Sequence, residues 1–178
     1  MSNATYPIAF AVQSAFLDLL ELVESLGEEK AEREALRENA EKTILRFIAA
    51  IVLADGQYRD GEKALLALLV DWKAKPGGES RYLNEYAAKW AETSTQIPNF
   101  FTAAVRHDFF NKTEIALAML RNIQLIGANV CACDARCGAL ERGMVRRYVL
   151  LLENHIDRAQ FSTGHDGQNK SDTPRNQH

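Results

Sequence analysis

Ile51-Val52-Leu53-Ala54-Asp55-Gly56-Gln57-Tyr58-Arg59-Asp60-Gly61-Glu62 is the stretch on which the fold turns. Upstream of it, Ile44, Phe47, Ile48, Ile51 and Val52 recur at helical spacing and predict a buried stripe. Asp55-Gly56 closes that helix, because glycine enters the left-handed conformation without the penalty a Cβ brings. A second helix is predicted from near Asp60 to about Lys73, through Leu65, Leu66, Leu68, Leu69 and Trp72. Asp55 therefore stands just beyond a helix C-terminus, and Glu62 stands in the first turn of the next helix.

The same arrangement recurs 79 residues later. Asp134 takes the place of Asp55 and Glu141 that of Glu62, while Phe47 and Ile51 fall on Ile126 and Val130, and Leu65 and Leu66 on Met144 and Val145. Matching acids in matching apolar helices predict an internal duplication, with two halves related by a pseudo-twofold axis.

Outward from these junctions the helical period continues. A first helix is expected over about Pro7 to Leu26, with Phe10, Phe16, Leu17, Leu20 and Val23 on one broad face. The run Glu28 to Asn39 is charged and helix-prone, a solvated surface supported by pairs three and four residues apart. Pro76-Gly77-Gly78 breaks the chain before a helix over Arg81 to Glu92. Pro98 suits the first turn of a helix carrying Phe100, Phe101, Ala104 and Val105. Asn111 with Glu114 reads as a capping box opening a helix to about Cys131, and a last helix covers Ala139 to Ile156. No run alternates with period two. The expected fold is all-α: a single bundle of about seven helices over residues 1–160, with 40–156 as its duplicated core and a polar, disordered tail over 161–178.

Composition narrows the function. The chain has 178 residues, 47% hydrophobic and 25% charged, and a formal net charge of -3. That balance, with no Lys- or Arg-rich stripe, argues against a nucleic-acid partner. The apolar N-terminal stretch lacks a basic leader and is interrupted by Gln13, Asp18 and Glu21, so it reads as an amphipathic helix rather than a signal peptide or membrane span. No transmembrane segment is expected elsewhere. Three cysteines, all within Cys131–Cys137, argue against a disulfide framework and predict a reducing, cytoplasmic setting.

The junction acids admit two kinds of role. Folding each loop back brings its carboxylates near each other, and a pseudo-twofold axis would converge Asp55, Glu62, Asp134 and Glu141. Clustered carboxylates repel unless a cation intervenes, and oxygen donors favour calcium, magnesium or manganese. Equally, Asp in a loop forms an Asx-turn with its own backbone, and Glu in a first helical turn completes a capping box. The loop is not an EF-hand, since Gln57, Arg59 and Asp60 occupy that motif's third, fifth and sixth positions.

The string Ile51 to Glu62, an apolar helix followed by Ala54-Asp55-Gly56, a variable spacer, Glu62 and a further apolar helix, resembles the motif of the TerB-like family. That family includes tellurite-resistance TerB proteins and the N-terminal domains of some membrane-anchored co-chaperones. The resemblance covers about Ala40 to Ile156. It implies a helical bundle with internal pseudo-symmetry and a divalent cation held by the motif acids, Asp55 and Glu62 foremost, then Asp134 and Glu141. The second copy departs from the pattern, with Ala135 for glycine and Cys133 for alanine.

Three further groups stand out. Cys131, Cys133 and Cys137 form C-x-C-x3-C, and Cys133 and Cys137 would share a helix face if the helix continued. Buried apolar packing competes there with zinc or redox chemistry. His107-Asp108 is readable as a catalytic pair or as a helix-terminal histidine. Tyr82, Tyr86 and Trp90 have core spacing. The function expected from all this is a non-enzymatic TerB-like stress-response module that binds a divalent cation and engages a protein partner, which a membrane can anchor. Its alternatives are an adaptor whose acids are purely structural and a metal-dependent hydrolase.

Overall fold

A computed structural model of the chain describes residues 5–69, 78–133 and 137–161. Among them are seven helices: α1 (Thr5–Glu24), α2 (Lys30–Val52), α3 (Asp60–Leu69), α4 (Gly78–Thr93), α5 (Asn99–Asn111), α6 (Ile115–Ala132) and α7 (Ala139–Phe161). No strand occurs among the described residues, in line with the all-α expectation. The reading of Trp72 as a core residue and of the C-terminal tail as disordered lies outside the described residues.

One apolar cluster joins all seven helices. The 18-residue α6 runs through it, packing on α1, α2, α5 and α7. Its Met119, Ile123, Ile126 and Val130 are buried at helical spacing. With a mean hydropathy of 1.4, α6 has by itself the length and composition of a membrane-spanning helix, contrary to the expectation that no segment does. Here its apolar face is the middle of the bundle. A Cβ on Gly127 would stand 2.7 Å from Val145 Cγ1, so glycine there is what lets α6 and α7 approach. Phe47, Trp90 and Tyr148 bring α2, α4 and α7 together, with ring centroids 4.6–5.1 Å apart.

Several expectations need correction. Phe10 and Leu17, expected on the buried face of α1, are exposed, whereas Ala9, Val12, Phe16, Leu19, Leu20 and Val23 are buried. At about 100° per residue, positions 10 and 17 lie well off the centre of that stripe. The charged run and the apolar stripe after it form one uninterrupted helix, α2. No Gly or Pro stands inside it, so a solvated first half and a buried second half propagate together.

The Asn111–Glu114 capping box does not form. Asn111 ends α5 with its Nδ2 donating to His107 O at 3.2 Å, and Lys112 takes the left-handed conformation at φ 56°. The start of α6 is capped by Asp108, whose carboxylate accepts from Ile115 N and Ala116 N, both at 2.8 Å, and from Thr113 Oγ1 at 2.6 Å.

Candidate functional site

At the first junction, α2 ends at Val52 and the chain turns over three backbone bonds: Leu53 N to Ala49 O, Ala54 N to Ile51 O and Gly56 N to Leu53 O, each 3.1 Å. Gly56 completes the turn at φ 73°, where L side chains are strained. Asp55 Oδ1 accepts from Gln57 N at 2.8 Å, the Asx-turn the residue type suggested. Asp55 Oδ2 accepts from Arg59 Nη2 at 2.7 Å. The Gln57 amide, with the Arg59 guanidinium, holds the Asp55 carboxyl below its usual range.

Glu62 is only 3% exposed, and its Oε2 accepts from Arg59 N at 2.7 Å. This is the reaching-back half of a capping box. It satisfies one of the amides that a helix start leaves without an internal partner. Arg59 thus bridges the two acids, by its backbone to Glu62 and by its side chain to Asp55.

The second junction repeats the local bonding. Glu141 is also 3% exposed, and its Oε2 accepts from Gly138 N at 2.6 Å. Arg142 N donates to Gly138 O at 3.2 Å, as Lys63 N does to Arg59 O at 3.0 Å. Cys133 N donates to Val130 O at 3.2 Å, as Ala54 N does to Ile51 O. Asp134 lies outside the described residues. Among those described, Asp55, Glu62 and Glu141 do not form a cluster of three potential metal ligands.

A different set does come together. Cys131, Cys137 and Glu141 offer ligand atoms that all lie within 4.8 Å of one another. Burial pushes the Cys131 thiol up, and the neighbouring Cys137 thiol adds to the effect. Cys133 and Cys137 would share a helix face only if α6 continued past them, and it does not. The α6 helix stops at Ala132, and Cys133 Sγ turns back to Asn129 O at 3.4 Å. The 79-residue offset held the missed signal: Cys131 and Cys137 fall on Val52 and Tyr58.

The remaining candidates have local duties. His107 Nδ1 meets Thr113 Oγ1 at 3.1 Å, while Asp108 caps α6, so the two do not act as a pair. Trp90 is buried and Tyr82 and Tyr86 pack partly against the core. Beside the α5–α6 turn, a cleft of about 570 Å³ is lined by Val105, Phe109, Leu117 and Ile156, with Asp108 and Lys112 among its polar members. Phe109 and the more exposed Phe110 stack edge to face there, centroids 5.0 Å apart.

Comparison with protein-family models, with curated proteins and with solved structures yields no match.

Proposed function

We propose that this chain is a non-enzymatic TerB-like module of a stress response, that it engages a protein partner, and that the acids of its first junction serve the fold rather than a hard cation. One observation carries the reading: both first-junction acids accept from backbone amides of the same loop, Asp55 within it and Glu62 from the first turn of α3. Arg59 supplies beside Asp55 the positive charge that a calcium or manganese ion would otherwise bring. The exposed Phe109–Phe110 pair beside the cleft supports an interaction role, since soluble surfaces rarely group large apolar side chains without a contact to make. We read the two junctions as copies of one ancestral unit related by a pseudo-twofold axis. The matched backbone bonds and the twin buried glutamates support that descent.

Calorimetric titration with calcium, manganese and magnesium tests the assignment. The expected result is no saturable heat, together with a lowered melting temperature in Asp55→Ala and Glu62→Ala whatever ion is present. The competing reading, a divalent ion held by Asp55 and Glu62, draws on an Asp55 carboxyl held ionised beside a buried Glu62. It requires the ion to displace Arg59, and it wins if wild type takes up one equivalent that both variants lose.

A further inference from the structure

We propose that Cys131, Cys137 and Glu141 form a zinc site at the second junction, distinct from the hard-cation chemistry suggested for the motif acids and going beyond the adaptor reading. Three potential ligands from the end of α6, the following loop and the first turn of α7 converge within 4.8 Å. A tetrahedral zinc with Zn–S near 2.3 Å places its sulfurs roughly 3.8 Å apart, so closure asks for a movement of about an ångström or less. Two sulfurs and one carboxylate suit a borderline-soft ion, where calcium and magnesium want oxygen alone.

The surroundings fit a metal ligand set. Glu141 is oriented by the Gly138 amide, the kind of outer hydrogen bond that fixes a ligating carboxylate. That bond does not exhaust it, because a carboxylate has about four acceptor positions. Two thiolates and a carboxylate outweigh a divalent ion by one charge. Arg142 stands beside the group, its Nη1 donating to Cys137 O and its charge favouring the Cys131 thiolate. Each ion bound displaces the two thiol protons to solvent. Cys131 is buried and Cys137 only partly so, which leaves an approach from the Cys137 side and a fourth coordination position for water or a further ligand.

The first junction makes a bland account of these cysteines harder. A buried cysteine is often just a small apolar residue. Here the two positions that pack as Val52 and Tyr58 at the first junction have both become thiols, and both sulfurs face the same buried glutamate. Cys133, whose thiol turns to Asn129, stays outside the group and is an internal control.

Cobalt, which substitutes for zinc and reports thiolate ligation by a charge-transfer band, is the probe. The full chain, fully reduced and kept from air, is titrated with Co²⁺ and then with Zn²⁺. The expected result is one equivalent of cobalt with thiolate charge transfer and tetrahedral ligand-field bands, displaced by zinc. Cys137→Ser and Cys131→Ser lose the band, Glu141→Gln weakens affinity at least tenfold, and Cys133→Ser keeps it. Circular dichroism checks each variant, and the partly exposed Cys137 serves alone if Cys131→Ser fails to fold. A folded, reduced wild type without the band overturns the site, and so does a Cys133→Ser variant that loses it equally. A Cys131–Cys137 disulfide in a chain whose reduced form takes no cobalt also overturns it. Calcium calorimetry of the first junction is a separate readout, so either proposal can fail alone.

Discussion

At the first helix–loop–helix junction a guanidinium joins the acids: Arg59 reaches Asp55 with its side chain and Glu62 with its amide. At the second, the corresponding residue is Gly138, which keeps the amide bond to Glu141 and brings no charge. The backbone bonding is alike in both, down to the matched amides of Lys63 and Arg142. What differs is the residue types at the matched positions: Val52, Tyr58 and Arg59 in one, Cys131, Cys137 and Gly138 in the other. The two junctions therefore share a buried glutamate accepting from the start of its own helix. The side chains at the matched positions differ, and at the second junction two of them are thiols beside the glutamate.

The largest effect should come from removing the shared element. Glu62→Ala removes the buried carboxylate that the part-buried Arg59 amide donates to and is expected to cost about 1–3 kcal/mol. Glu141→Ala should cost a similar amount in metal-free buffer, read by urea unfolding. If one substitution is neutral and the other severe, the two junctions are not equivalent supports and the comparison breaks. Zinc sharpens it: added ion should raise the melting temperature of wild type and Glu62→Ala alike, and that of Glu141→Ala by markedly less.

Gly56→Ala should cost about 1 kcal/mol, because the residue sits at φ 73° with open space around its Cβ position, so backbone strain is the whole penalty. An unchanged melting temperature would mean that the turn relaxes to a conformation without positive φ. Arg59→Gly, which imports the second junction's residue into the first, should cost less, under about 1 kcal/mol. The amide to Glu62 survives that change. What is lost includes a partly exposed ion pair, its side chains 28% and 23% accessible, and the Arg59 Nη2 bond to Gln57 Oε1.

Much of this is legible in the amino-acid sequence. The apolar period marked the helices, and the Asp…Glu spacing marked both junctions. Less readable was anything decided by a partner distant in sequence or by a loop's path. Phe10 and Leu17 are apolar like their buried neighbours, and only the exact centre of the packed stripe, set by where the other helices lie, leaves them outside it. The cap of α6 comes from Asp108, seven residues before Ile115 and across a left-handed turn, where no short motif looks for it. Arg59 has no sequence signature as a bridge. The cysteine grouping depends on where α6 ends, and one turn more would have changed which thiols meet.

The smallest effect is the most specific to the first junction, and it is read in acid. The Asp55 carboxyl titrates below its ordinary value of 3.8 in the folded chain, chiefly through the Gln57 amide and then through Arg59. A carboxyl lowered by folding adds stability that is fully present above the unfolded value and is lost as pH falls through the folded one. Wild type should therefore exceed Asp55→Asn in melting temperature by a constant margin at neutral pH, and the margin should close below pH 3.8. Because the backbone amide ranks ahead of the guanidinium, Arg59→Gly should shrink that acid-dependent margin without abolishing it. High salt should do the same, screening the ion pair while leaving the Asx-turn intact. If Arg59→Gly removes the margin entirely, the guanidinium governs Asp55. The first junction would then be held by an ion pair that the second has no means to copy.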